Sequence, residues 1–231
     1  MRGVDLTVEP GSVLFIIGQS GAGKSVLVKH LVGLIQPDQG QIFLDDLEVT
    51  SLTEHEFYPV RKRCAMVFQN STLFDSMTLQ ENVALPIRKH TSASPRQALE
   101  QALEKLRLVG MHQYATRYPA DFGDGMQKKV AIARALTLDP EYVIFDEPTT
   151  GIDPISAAMV DKLIRHLSDN LGVTSIVISH DLRSIFGIAD RIAMLYKGKF
   201  ILDGTQEDFK NTPNPIVQQF INGLPDGPMD V

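Results

Sequence analysis

The chain has 231 residues, 43% of them hydrophobic and 22% charged, values that suit a globular protein and exclude a disordered or fibrous one. Twenty-two basic against twenty-eight acidic residues leave a formal charge of −6, so broad, sequence-blind binding to nucleic acid is not expected. This length suits one α/β domain with a small insertion, and it buries enough core to fold without disulfides or structural metal.

The start, Met1 to Gly11, lacks the apolar segment of a signal peptide. No apolar run approaches the roughly 18 residues of a membrane span. These features predict a soluble cytoplasmic chain that meets a membrane only through a partner. Val13–Ile17 (VLFII) is a continuous β-branched and aromatic run, as a strand buried on both faces requires. A helix is expected from Ser25 to Leu34. Arg61, Lys62 and Arg63 read as a solvated basic face, with lipid headgroups or a membrane partner as the alternative they could meet. The lone Cys64 beside them reads as a small half-buried residue in preference to a thiol activated by those charges. Ala65–Phe68 is the next strand.

Between Gln69 and Met126 strand signals give way to helix signals. Ser94-Pro95-Arg96-Gln97 is a capping box with proline at the first helical position, and Leu99, Ala102, Leu103 and Leu106 then share one helical face. A further helix is expected from Met126 to Leu138, with Val130 and Ala133 inward and Lys128-Lys129 solvated. Tyr142–Phe145 and Thr174–Ile178 are buried strands, and Ile192–Tyr196 with Phe200–Leu202 flank Lys197-Gly198 as a terminal hairpin. The pattern predicts a single domain with a mostly parallel sheet. Its body covers 1–74 and 136–212, a helical subdomain spans about 75–135, and a Pro/Gly-rich tail occupies 213–231 on the surface.

Gly18-Gln19-Ser20-Gly21-Ala22-Gly23-Lys24-Ser25 fits G-x-x-x-x-G-K-[ST] at every fixed position. It follows a predicted strand and opens a predicted helix. Glycines let such a loop turn its amides inward and approach phosphate closely. The helix N-terminus adds partial positive charge, the lysine reaches β/γ-phosphates, and the serine hydroxyl suits Mg²⁺. This is the loop of a P-loop NTPase, and it implies a nucleoside triphosphate ligand.

Tyr142-Val143-Ile144-Phe145-Asp146-Glu147 places two adjacent acids at the carboxyl end of a buried strand, where ligands collect in open α/β sheets. Asp146 is placed to hold Mg²⁺ through water, and Glu147 to polarise an attacking water. His30, His55, His90, His112 and His166 show no paired spacing for a metal site. No metal beyond nucleotide-bound Mg²⁺ is expected.

Several further residues fall in the order found in ATP-binding cassette (ABC) transporter ATPases. Gln69, after AMVF, resembles the Q-loop glutamine that touches Mg²⁺ and links the helical subdomain to a permease. Phe122–Leu136 (FGDGMQKKVAIARAL) resembles the signature motif and its helix. Asp146–Pro154 (DEPTTGIDP) is similar to a Walker B strand running into a D-loop, with Asp153 in the latter. His180, closing TSIVISH, resembles the switch histidine that contacts the γ-phosphate. The resemblance spans nearly the whole chain. It implies that ATP and Mg²⁺ bind at Gly18 through Ser25 and Val26, with Ser25, Gln69 and Asp146 toward the metal and Glu147, His180 and Gln69 toward hydrolysis. It also implies a head-to-tail homodimer in which Gly123, Asp124, Gly125 and Met126 face the partner's nucleotide, and a permease docked on the helical subdomain at the inner face of the cell membrane.

FYPVRKRCAMVFQNSTLFDSMTLQENVALPIRKHT and the tail FINGLPDGPMDV resemble the ATPases of lipid-handling importers associated with Mce proteins, also described as organic-solvent-resistance systems. That resemblance implies phospholipid or related hydrophobic cargo. It also implies an Mce-type lipid-binding protein and a small regulatory subunit as partners, and a tail that reaches a neighbouring ATPase or is simply a mobile end.

The chain departs from the family at two places. Where the family signature reads Leu-Ser-Gly-Gly, this chain has Phe122-Gly123-Asp124-Gly125, without the serine and with a carboxylate in place of the first glycine. Asp124 is expected to cap its own helix and occupy the anion site that γ-phosphate needs, or else to point into solvent. The upstream aromatic that stacks on adenine has no counterpart either, since Phe15 lies inside a strand. The alternative functions are an ATP-binding regulatory subunit with little hydrolysis and a soluble ABC protein unconnected to transport. A small-molecule P-loop kinase would leave Gln69, Asp153 and His180 unexplained.

Overall fold

The computed structural model describes residues 1–229. In chain order the elements are β1 (Val13–Ile17), α1 (Lys24–Leu31), β2 (Phe43–Leu44), β3 (Leu47–Glu48), α2 (Glu54–Arg63), β4 (Cys64–Val67), α3 (Leu79–His90), α4 (Pro95–Leu108), α5 (Asp124–Ala135), β5 (Tyr142–Asp146), α6 (Pro154–Leu171), β6 (Thr174–Ile178), α7 (Leu182–Ile188), β7 (Arg191–Tyr196), β8 (Lys199–Gly204), α8 (Gln206–Asn211) and α9 (Pro215–Asn222). Six strands form one sheet in the order β4-β5-β6-β1-β7-β8. All neighbours in it run parallel except β8, which returns antiparallel on β7 across Lys197-Gly198.

The two faces of β1 seed two apolar clusters, as the period of two along a strand dictates. Leu14 and Ile16 pack with Leu27 and Val28 of α1. Val13, Phe15 and Ile17 belong to a larger cluster on the other face. That cluster runs on through Val130 and Ile132 of α5 to Leu79 and Val83 of α3 and Ala98 and Ala102 of α4. Residues 75–135 are therefore welded to the sheet by continuous apolar packing, with α5 between the sheet and the outer helices.

Reciprocal caps start four of the helices described. Thr53 with Glu56, Thr78 with Glu81, Ser94 with Gln97 and Thr205 with Asp208 each exchange side-chain and backbone hydrogen bonds. Asp153 caps α6 by accepting from the amides of Ile155 and Ser156 at 2.9 and 3.0 Å, and the Ser156 side chain together with these amides holds its carboxyl below the usual range.

Several elements differ from the sequence expectation. α1 stops at Leu31, because Gly33 turns the chain with φ +67, the usual stop signal of a helix. The predicted helix Met126–Leu138 is α5 from Asp124 to Ala135 followed by a 3₁₀ turn over Leu136–Leu138. Strand β4 ends at Val67, leaving Phe68 exposed. The two arginines of the basic run keep about a third of their side chains exposed and are also paired. The Arg61 guanidinium donates to the carbonyls of Val32 and Gly33, both at 3.1 Å, and pairs with Glu54. Arg63 pairs with Glu141 and Asp45.

The tail is also more ordered than its composition predicts. α9 buries Val217 and Gln219, and the Met229 amide donates to Gln219 Oε1 at 2.7 Å. Asp230 and Val231, the end of the predicted tail, lie outside the described residues. Cys64 is half-buried at the start of β4, and burial pushes its thiol up to about 12. Among the described residues no helix is long and apolar enough to cross a membrane.

On α6, Asp161 accepts from the Ser184 hydroxyl of α7 at 2.8 Å, while its other oxygen has no hydrogen-bond partner among the described residues. Burial raises its carboxyl to about 6. A carboxyl raised on folding contributes stability below its unfolded value and loses it as pH rises through about 6. Asp161→Asn should therefore raise the melting temperature at pH 8 by about 2 °C or more and by markedly less at pH 4.5, nearer the unfolded value. Thermal scans at the two pH values check this, and equal shifts at both would count against it.

Candidate functional site

The parallel strands β1, β5 and β6 end along one edge of the sheet, and the loops leaving them carry the chemistry. After Ile17 the chain turns at Gly18 with φ +144, so close to β7 that a Cβ there would lie 2.1 Å from the Leu195 carbonyl oxygen. No side chain with a Cβ fits that position. Gly21 and Gly23 also take positive φ, at +78 and +112, and Gly23 serves as N-cap of α1 without any side-chain cap. The first turn of α1 holds no acidic residue, so its amides and dipole are available to an anion.

Lys24 folds back over this loop. Its ammonium donates to the carbonyls of Gly18 at 2.6 Å and Gln19 at 3.1 Å. Burial lowers its pKa, opposed by the charges of Glu147 and Asp146. The hydroxyl-bearing Ser25 and then Val26 are exposed beside it.

At the end of β5, Asp146 is half-buried. Burial and the neighbouring Glu147 push its carboxyl up, while Lys24 and Lys128 pull it down. Glu147 leaves the strand in a left-handed conformation, φ +51, a backbone state that costs energy in a non-glycine residue and clusters at functional sites. It is held by its amide donating to the Ile178 carbonyl of β6 at 2.9 Å. One carboxylate oxygen, Oε2, accepts from the Thr150 hydroxyl at 2.9 Å and lies 2.9 Å from His180 Nδ1. An open cleft of about 460 Å³ borders this pair, lined by Thr149, Thr150, Gly151, His180 and Asp181. The structure thus brings Lys24, Asp146, Glu147 and His180 to one edge.

Gln69 lies two residues past β4 with its side chain exposed; its carbonyl accepts from Lys128. The signature segment is on α5. Gly123 is the N-cap and gives no side-chain bond, and Asp124 is the first helical residue, exposed. The expectation that Asp124 caps α5 is therefore wrong by one position; its carboxylate can favour the helix only through the dipole. Gly125 is required by packing, since a Cβ there would meet Ser156 of α6 at 2.6 Å. This contact sets the start of α5 against the start of α6, which Asp153 caps. Met126 follows, partly buried. Phe15 is fully buried and offers no ring face to a base.

Two functional neighbours are not predicted from sequence. Thr150 orients Glu147, and its position in a threonine-rich turn gives no signal of that role. Lys128, expected on a solvated face, is 3% exposed. It sits three residues after Gly125 and four before Ile132, both buried, so helical periodicity does mark its face as inward.

The sequence pattern of the family described as "ABC transporter" matches residues 1–150. The chain is 39% identical over 226 residues to the intermembrane phospholipid transport system ATP-binding protein MlaF of Haemophilus influenzae, covering 98% of this chain and 86% of that one. Among solved structures, the dimeric post-hydrolysis state of the ATP-binding cassette MJ0796 bound to ADP and Pi is similar at TM-score 0.80 and 28% identity, over 89% of this chain and 90% of that one. CbiO1 of Clostridium perfringens, part of the ABC transporter complex cbiONQ, is similar at TM-score 0.85 and 26% identity, over 91% and 84%.

The contact of Gly18 with the β7 backbone makes a structural prediction separate from ligand binding. Gly18→Ala should lower the melting temperature of the chain alone by about 5 °C or more, and Gly21→Ala, which faces open space, by no more than about 3 °C. Thermal unfolding of the two variants checks this; equal losses would refute the contact's role.

Proposed function

The chain belongs to the ABC transporter family as an ATP-binding and ATP-hydrolysing subunit that powers a membrane transporter, and from that premise we propose that its cargo is phospholipid or a related hydrophobic molecule. The likeness to MlaF along 98% of the chain supports this cargo. In this reading the chain works as a head-to-tail homodimer, at the cytoplasmic face of the membrane. A permease docks on residues 75–135, and an Mce-type lipid-binding protein and a small regulatory subunit complete the assembly. The body is 1–74 and 136–212, and 213–231 is the tail.

The observation that carries the enzymatic part is the convergence of Lys24, Glu147 and His180 on one sheet edge. Gly18 through Val26 form the phosphate cradle, and Lys24 exchanges its bonds to the Gly18 and Gln19 carbonyls for phosphate oxygens. Glu147 is the general base. Thr150 and His180 share one of its oxygens, which leaves the other to take a proton from water. His180 also bears on the γ-phosphate, and the Asp153 turn lies at the subunit contact. Hard oxygen donors and a half-buried acid raised by its surroundings fit Mg²⁺. Ser25, Asp146 and Gln69 would hold it, and when bound it neutralises charge on the phosphates.

In proteoliposomes containing the permease, the parent chain is expected to hydrolyse ATP and to move labelled phospholipid. Glu147→Gln should cut turnover about 100-fold or more while retaining ATP binding, and should stop lipid movement. Turnover in Glu147→Gln above about a tenth of parent would refute the assignment of the base. ATP-driven turnover without any lipid movement would refute the cargo.

Asp124 favours a second element of the reading. Exposed at the start of α5, its carboxylate faces the partner's γ-phosphate in the closed dimer and slows closure by like-charge repulsion. The regulatory-subunit reading is the limit in which closure no longer leads to turnover. Gly123→Ser with Asp124→Gly is expected to raise turnover about threefold or more. An unchanged rate would show that Asp124 is harmless, and a parent chain that binds ATP tightly without turnover, even with permease, would favour the regulatory role.

A further inference from the structure

A lysine in the interior is costly unless its ammonium is matched by charge and hydrogen bonds. Lys128 is such a residue. It projects from the second turn of α5 and is 3% exposed. Its ammonium donates to the Gln69 carbonyl, and at 3.5 Å it also reaches the Glu147 carbonyl. Asp124, one turn earlier on the same helix, and Asp146 and Glu147 beyond the end of the helix supply the opposing negative charge.

These partners belong to separate parts of the chain. Gln69 opens the segment that leads from the sheet into α3. Glu147 carries the acid, at a backbone angle of φ +51 that its surroundings must hold. A second cation of the same helix acts nearby: Arg134 donates to the carbonyls of Ser71 at 3.2 Å and Thr72 at 2.9 Å. Residues 69–72 are thereby fastened to α5 at two points, and Lys128 continues from that segment to Glu147.

We propose that Lys128 is a positioning residue through which the placement of the helical insertion sets the backbone of Glu147. A shift of α3 and α4 moves the segment at Gln69 and α5 together. The ammonium shared between the Gln69 and Glu147 carbonyls passes that displacement to the acid-bearing turn. A membrane partner seated on the insertion would thus adjust hydrolysis without touching nucleotide. The proposal rests on the reading of Glu147 as the base, and the test separates the two.

Turnover and KM for ATP are measured on the full chain for Lys128→Met, Lys128→Arg and Glu147→Gln, with ATP affinity read by nucleotide fluorescence. Lys128→Met is expected to lower kcat about tenfold or more with KM and ATP affinity within about threefold of parent. Lys128→Arg, which keeps charge and donors, should recover at least about a third of the parent rate. If Lys128→Met does not fold, Lys128→Gln is expected to show the same kcat loss at unchanged KM. A Lys128→Met kcat within about twofold of parent, while Glu147→Gln is inactive, would overturn the proposal and leave the base assignment standing. Equal losses in the Met and Arg variants with KM raised in proportion would overturn it as well. Turnover surviving in Glu147→Gln would overturn the base assignment and the proposal with it.

Discussion

Four charges share the half-buried edge where β1 and β5 end, and the arrangement is tolerable only because they match. Asp146 and Glu147 stand beside each other, and Lys24 and Lys128 oppose them. Removing either cation would leave a carboxylate pair in a poorly hydrated place, and removing either acid would strand an ammonium. Each lysine is further held by carbonyl oxygens, of Gly18 and Gln19 for one and of Gln69 and Glu147 for the other. The balance explains why loops from distant parts of the chain meet here. They bring the counter-charges that the strand-end acids require.

The same edge shows how a rigid sheet supports movable chemistry. Five strands fix the positions of Ile17, Asp146 and Ile178 through an unbroken parallel ladder. Glu147 and His180 lie one and two positions beyond it, in the turns that leave β5 and β6. Glu147 is anchored by one amide to Ile178, and its carboxylate by Thr150 and His180. The helical layer stands behind this edge on a continuous apolar cluster, so its displacement is transmitted by packing and is not absorbed at a gap. Gly125 sharpens the transmission, because its missing Cβ lets α5 and α6 touch at Ser156.

Much of this was legible in the residues. The buried strands announce themselves as continuous β-branched runs, and Val13–Ile17 and Thr174–Ile178 match the observed strands residue for residue. The fold and the family follow from the strand–loop–helix context of Gly18–Ser25 and from the order of the later motifs. What was hidden has physical causes. Helix α2 contains Pro59, which masks the helical pattern although Thr53 and Glu56 cap it. The β2–β3 hairpin has only two residues in each strand, too few for any period to register. Lys128 beside Lys129 reads as a solvated pair; helical periodicity marks its face as inward, but the carbonyl that receives its ammonium lies 59 residues away. Asp124 was misplaced by one position because a glycine took the cap, a choice that propensity ranks close to aspartate.

Cys64 offers a practical consequence. It is the chain's only cysteine, and with its thiol pushed up to about 12 it stays protonated at neutral pH, whereas alkylating reagents consume the thiolate. The wild-type sequence is therefore already a quiet background for site-directed labelling. Single cysteines placed on exposed positions of α4 and α9 would accept fluorophores or spin labels without prior removal of the native one, and distances between them could be followed through a catalytic cycle in the unmodified core.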